Sequence, residues 1–95
     1  MEGKIYKLSG GDRFYYGSTK RSLNLRKNEH YYKSKHIAGR RLYKYFNSIG
    51  WDNVTIELVE AFSCESKAEI LAKENEYINK YIGDTNCLNS ILALN

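Results

Sequence analysis

Residues 3–19 read GKIYKLSGGDRFYYGST, two runs rich in Ile, Leu, Tyr and Phe on either side of Gly10-Gly11. A double glycine tolerates the positive φ values of a tight hairpin turn, so residues 4–9 and 12–17 are expected to be antiparallel strands. With Gly10 and Gly11 at the centre of the turn, Ser9 falls opposite Asp12, Lys7 opposite Phe14 and Tyr6 opposite Tyr15. Directly opposed side chains share a face with Cβ atoms about 5 Å apart, so the two tyrosine hydroxyls converge, while Ile5 and Tyr16 turn to the other face. By itself such a pair does no more than stabilise a hairpin. Whether it does chemistry depends on what else the chain brings to it.

Working outward, Ser22 is an N-cap for a helix over Leu23 to Lys33. A second helical pattern carries Ile37, Leu42, Tyr45, Phe46 and Ile49 until Gly50 stops it. Asn53 to Phe62 is β-branched and alternating in its first half, which reads as a third strand. Ser66-Lys67-Ala68-Glu69 matches a capping box, and the helix it opens runs through Leu71, Ile78 and Tyr81 to Gly83. The tail from Asp84 to Asn95 fits no one element. The expected fold is α/β: a small, mainly antiparallel three-stranded sheet flanked by helices, in the order β-β-α-α-β-α.

The 95 residues contain no proline, repeat or low-complexity linker, and they suit one domain over residues 1–95 with a single modest core. No apolar run is long enough to span a bilayer and no leader pattern precedes the first strand, so an intracellular protein, cytoplasmic or nuclear, is expected with no membrane partner. Cys64 and Cys87 show no C-x-x-C spacing, and with His30 and His36 they suggest neither a disulfide framework nor zinc. The net charge of +4 conceals a split: residues 1–50 hold twelve Lys and Arg against three acids, residues 51–95 three against eight. Lys20, Arg21, Arg26, Lys27, Lys33, Lys35, Arg40, Arg41 and Lys44 interleave with Tyr31, Tyr32, Tyr43 and Tyr45. That mixture suits a phosphate backbone, although a basic run is also an ordinary solvated face.

Two further features carry chemistry. Arg26 and His30, four apart on the first helix, project from one side of it, with Lys27 alongside. On the last helix Glu74 stands on the apolar stripe, three residues after Leu71 and four before Ile78. A buried, unpaired carboxylate is costly, so Glu74 must reach the rim, take a proton, or meet a cation, whether a metal ion or Arg26.

Taken together these residues resemble the GIY-YIG nuclease family. Lys4-Ile5-Tyr6 stands for the first motif and Tyr15-Tyr16-Gly17 for the second; Arg26 and His30 in LNLRKNEHYY, Glu74 in KENEYI and Asn89 in CLNSI follow in the family's order. Lys4 replaces the first glycine, and Tyr16 replaces the middle aliphatic of the second motif. The resemblance implies a metal-dependent endonuclease that hydrolyses DNA phosphodiesters, with Tyr6, Tyr15, Arg26, His30 and Glu74 catalytic. Glu74 is then the single protein ligand of Mg²⁺, with Mn²⁺ as a substitute. Lys20, Arg21, Lys27, Arg40, Arg41 and Asn89 are the candidate DNA contacts. Family members usually rely on another domain to choose the target, which leaves open here an excised catalytic domain, a free-standing nuclease of low sequence specificity, or a homodimer or partner protein that supplies recognition. The competing class is a non-catalytic nucleic-acid-binding module that stacks Tyr6, Tyr15 and Tyr31 on a single strand. Such a module has no use for a carboxylate on an apolar stripe, which would repel phosphate without a cation.

Overall fold

A computed structural model describes residues 1–89. Strands β1 (Glu2–Gly10) and β2 (Arg13–Thr19) form the hairpin, followed by helices α1 (Leu23–His36) and α2 (Arg41–Ile49), a 3₁₀ turn at Trp51–Asn53, strand β3 (Thr55–Ser63) and helix α3 (Lys67–Tyr81). The sheet order is β2-β1-β3 with both pairings antiparallel. The class and element order match the expectation from the sequence.

The hairpin register does not. Gly10 pairs with Arg13, so Gly11 and Asp12 are the central turn residues, and Gly11 takes φ +59. Positive φ at the first central position alone is the demand of a II′ turn, which glycine meets without steric cost. Tyr6 lies opposite Gly17 and Leu8 opposite Tyr15, a slip of two residues from the expected pairing. Because side chains alternate with a period of two, a slip of two preserves faces. Tyr6 and Tyr15 therefore still share a face, as diagonal rather than direct neighbours.

β1 is the central strand and both its faces are covered. Tyr6 and Leu8 pack on one side with Leu42, Tyr43, Phe46, Trp51, Val54 and Leu88. Ile5 packs on the other with Tyr16 and Ile78. Tyr16 stacks on Tyr77 and Tyr81 of α3, with ring centroids 5.7 and 4.9 Å away, so the aromatic in place of the family's aliphatic serves packing on the face away from Tyr6. α1 buries only His30 and Ser34 outright, a polar stripe four residues apart. Its Ser22 cap accepts a hydrogen bond from the Leu25 N–H. Ile37 follows α1 and is exposed rather than opening α2 as expected. In α3 the Ser66 side chain accepts from the Glu69 N–H, but Glu69 returns to the Glu65 N–H, one residue outside the expected capping box.

The chain after α3 covers the free edge of β2. The Phe14 N–H donates to Asn86 O, the Leu88 N–H donates to Phe14 O, and the Asn89 amide accepts from the Tyr16 N–H and donates to Tyr16 O, both at 2.9 Å. This edge would otherwise offer unpaired backbone groups to another strand. Asn89→Ala should strip Tyr16 of two buried backbone partners and cost about 1–3 kcal/mol in urea unfolding; an unchanged midpoint would refute that role.

Candidate active site

Tyr6 crosses from β1 over β2 at Gly17. A Cβ at that position would collide with the Tyr6 ring and hydroxyl, so the glycine is what admits the phenol. Beyond it the Tyr6 Oη lies 2.6 Å from His30 Nε2 and accepts from Arg26 Nε–H at 3.0 Å. His30 Nδ1 lies 2.9 Å from the Tyr43 hydroxyl. Either imidazole tautomer joins Tyr6, His30 and Tyr43 into one hydrogen-bonded chain. Tyr15, half-buried on the same face, sets its ring edge-on to His30 with centroids 5.8 Å apart. The one-turn spacing of Arg26 and His30 thus brings both to a single phenolic oxygen.

Burial pushes the His30 imidazole down to about 3, reinforced by the positive charges of Arg26, Lys33 and Arg40. His30 is therefore neutral and offers one ring nitrogen as a hydrogen-bond acceptor, while a full imidazolium is disfavoured there. Burial raises the Tyr6 phenol far above its ordinary value, with Tyr15 adding to the rise and Arg26 opposing it. The depression that a tyrosinate base would require is absent from this arrangement. Tyr15 is raised too, by burial and then by Glu74.

These shifts make acid stability a test of the His30 environment. Its folded value lies below the unfolded value of about 6.5, so between the two the unfolded chain binds the proton and the folded one does not. This contribution is complete above pH 6.5 and is lost as pH falls toward 3. Its slope is at most about 1.4 kcal/mol per pH unit. His30→Gln should flatten the stability profile between pH 4.5 and 6.5 in urea titrations relative to the wild type, whereas parallel profiles would exclude a buried neutral imidazole.

Glu74 arrives from the opposite face of the sheet. The Ser18 hydroxyl donates to its Oε1 at 2.5 Å, and the Ser18 backbone adds a second hydrogen bond to the carboxylate. Burial raises its pKa, with the Ser18 hydrogen bond and the Arg26 charge pulling the other way. Gly17 and Ser18, adjacent on β2, thereby join the two halves of the site: one admits Tyr6 from the first face, the other holds Glu74 from the second. Arg26 is not the ion-pair partner of Glu74. Its NH1 group instead lies 3.8 Å from Glu29, whose Oε1 is buried without a hydrogen-bond partner. No three His, Cys, Asp or Glu side chains cluster among the described residues, so a metal here would have Glu74 as its protein carboxylate.

The candidate DNA contacts divide. Lys20, Arg21, Arg40 and Arg41 are exposed. Lys27 is half-buried and its ammonium donates to Val54 O at 2.5 Å, which ties α1 to the start of β3 instead of leaving a cation for phosphate. Asn89 is enclosed and its amide is spent on Tyr16, a structural task in place of the expected DNA contact. Tyr43, one of the tyrosines interleaved with the basic residues, belongs to the core. Ser18 and Tyr43 hold Glu74 and His30, and sequence reasoning assigned neither of them to the site. The only local signal for Ser18 was its place beside Gly17.

A family model describing the GIY-YIG catalytic domain matches residues 5–86. The chain belongs to the GIY-YIG family. It is accordingly a nuclease domain, and the two GIY-YIG motifs are the strands that meet at Tyr6 and Gly17. Among solved structures, the catalytic domain of the intron endonuclease I-TevI, in a glutamate-to-alanine variant, shares the fold with a TM-score of 0.73 at 22% identity. The match covers 99% of this chain and 98% of that one. Comparison with curated protein sequences found no match. No helix among the described residues is long and apolar enough to cross a membrane.

Proposed function

We propose that this GIY-YIG domain is a metal-dependent DNA endonuclease that hydrolyses phosphodiesters at a single-metal site. The observation that carries the reading is the junction at Gly17–Ser18, where the Arg26–Tyr6–His30 network and the Glu74 carboxylate approach from opposite sheet faces. Arg26 spends Nε–H on Tyr6 and keeps other guanidinium N–H groups to meet paired phosphate oxygens. Glu74 fits a divalent cation: it is a buried carboxylate held in place by Ser18 at the junction, and one carboxylate completed by water and phosphate suits Mg²⁺, with Mn²⁺ as a substitute. The bound cation supplies positive charge to the phosphate oxygens.

The remaining chemistry belongs to the side chains. With the His30 proton on Nδ1, the Tyr6 O–H donates to Nε2. As water attacks phosphorus, its proton passes to Tyr6 Oη while the phenolic proton passes to His30, and a bridging P–O bond breaks with its electron pair on the leaving oxygen. His30 holds that proton only transiently and releases it to solvent, because its surroundings disfavour the imidazolium. Tyr6 is thus a relay that need never exist as free tyrosinate, and Tyr15 flanks His30 and positions the water. Lys20, Arg21, Arg40 and Arg41 draw in the DNA backbone. The buried, unbridged thiols of Cys64 and Cys87 fit a reducing, intracellular compartment.

Incubation with supercoiled plasmid is expected to give cleavage with Mg²⁺ or Mn²⁺ and none with a chelator. Tyr6→Phe should slow single-turnover cleavage by about 10²-fold or more if the relay operates. Undiminished cutting in chelator would remove the metal, and wild-type turnover by Tyr6→Phe would remove the relay. Binding without cleavage on duplex, flapped, branched and single-stranded DNA with either ion would end the enzyme reading.

A further inference from the structure

A cleft opens beside Glu74 between the end of β2 and the first half of α3. Ser18, Thr19, Lys20, Lys67, Ile70 and Leu71 line a cavity of about 90 Å³ that opens to solvent on one side. It shares a wall with the candidate active site, because Ser18 both lines the cleft and donates to Glu74. Ile70 and Leu71 precede Glu74 by four and three residues on α3, so they lie one helical turn from the carboxylate along the same side. Lys20 and Lys67 are both exposed, and neither makes an ion pair among the described residues. One comes from the basic half of the chain; the other is one of only three cations in the acidic half.

We propose that this cleft is a nucleotide subsite for the DNA strand on one side of the scissile phosphate. Lys20 and Lys67 neutralise the flanking phosphate, and Leu71, with the buried Ile70 behind it, receives the apolar edge of a sugar or base. The proposal rests on the reading of Arg26 and Glu74 as the cleavage centre, and it extends the substrate-contacting surface to α3. Two unpaired cations beside an apolar floor suit one nucleotide unit, which carries its charge on the phosphate and its apolar surface on the sugar and base. A phosphate there places the next one along the strand toward the Ser18–Glu74 wall. The lysines act in binding, so their loss raises KM and leaves kcat largely intact.

The test follows binding of a short DNA duplex in chelator, so that it does not depend on cleavage. Fluorescence anisotropy gives Kd against salt, and methyl NMR follows Ile70 and Leu71 in the wild-type protein. Lys67→Glu is expected to weaken binding about tenfold, and Lys67→Ala to lower the salt slope by about one. The Ile70 and Leu71 methyl signals should shift with the same Kd. Lys80→Glu makes the same charge change farther along α3 and should weaken binding far less. Binding with unmoved methyl signals, or an equal effect of Lys67→Glu and Lys80→Glu, overturns the subsite even if the protein cuts DNA. Shifted methyls and a selective Lys67 effect uphold the binding subsite even if no cleavage is found, in which case the nuclease mechanism fails. Failure to bind DNA overturns the subsite.

Discussion

Glu74→Gln should lower the single-turnover cleavage rate by at least about 10³-fold without lowering the melting temperature. The substitution is nearly isosteric, and the glutamine carbonyl oxygen can still accept the Ser18 hydrogen bond. What it removes is the negative charge proposed to hold the cation. That charge is disfavoured in the folded protein, because burial raises the Glu74 pKa despite Ser18 and Arg26. A neutral side chain of the same shape therefore has no cause to destabilise the fold, and structural and catalytic roles predict different outcomes. A structural carboxylate would make the variant less stable with activity in proportion to the folded fraction. A variant that melts at or above the wild-type temperature yet does not cut would locate the function of Glu74 in the reaction. Activity within tenfold of wild type would remove Glu74 from the site.

The sequence carried more of this arrangement than its local errors suggest. The slip of two residues in the hairpin changed every expected cross-strand partner of Tyr6 and Tyr15 but neither of their faces, because alternation is a property of the strand and pairing is set by the turn. Glu74 was legible for a related reason: a carboxylate within a 3.6-residue apolar pattern conflicts with burial, and the structure does bury it, between Ile70 and Ile78. Helix spacing likewise brought out Arg26 and His30. Contacts that join distant segments had no such periodic signal. Ser18 meets Glu74 across 56 positions and Asn89 meets Tyr16 across 73, and nothing in the few residues around Ser18 or Asn89 names its partner. Lys27 shows the same limit: next to Arg26 it reads as one more cation, and only the fold shows its ammonium tied to Val54 O. The II′ turn was obscured by Gly10, whose position in the strand is crowded by Ile49, so that the first of two glycines serves packing and the second the turn.

Arg26→Lys, which keeps the charge, should nonetheless reduce cleavage by about 10²-fold or more. The arginine performs two tasks at once. Its Nε–H donates to Tyr6 Oη, and the planar group extends beyond that contact with further donors for phosphate. A lysine has one nitrogen at the end of its stem: placed on Tyr6 it leaves the phosphate unbound, and placed on the phosphate it leaves the phenol without its donor. The variant should retain most of its DNA affinity, since the exposed cations Lys20, Arg21, Arg40 and Arg41 are untouched. The loss should therefore fall on kcat more than on KM. Glu29 offers an internal check, because its buried Oε1 lacks a hydrogen bond and its other oxygen lies 3.8 Å from Arg26. If Glu29 only steadies the guanidinium, Glu29→Gln should keep cleavage within about tenfold of wild type, a much smaller effect than that of Arg26→Lys. Full activity in Arg26→Lys would reduce Arg26 to a point charge, and the two-sided role between phenol and phosphate would be wrong.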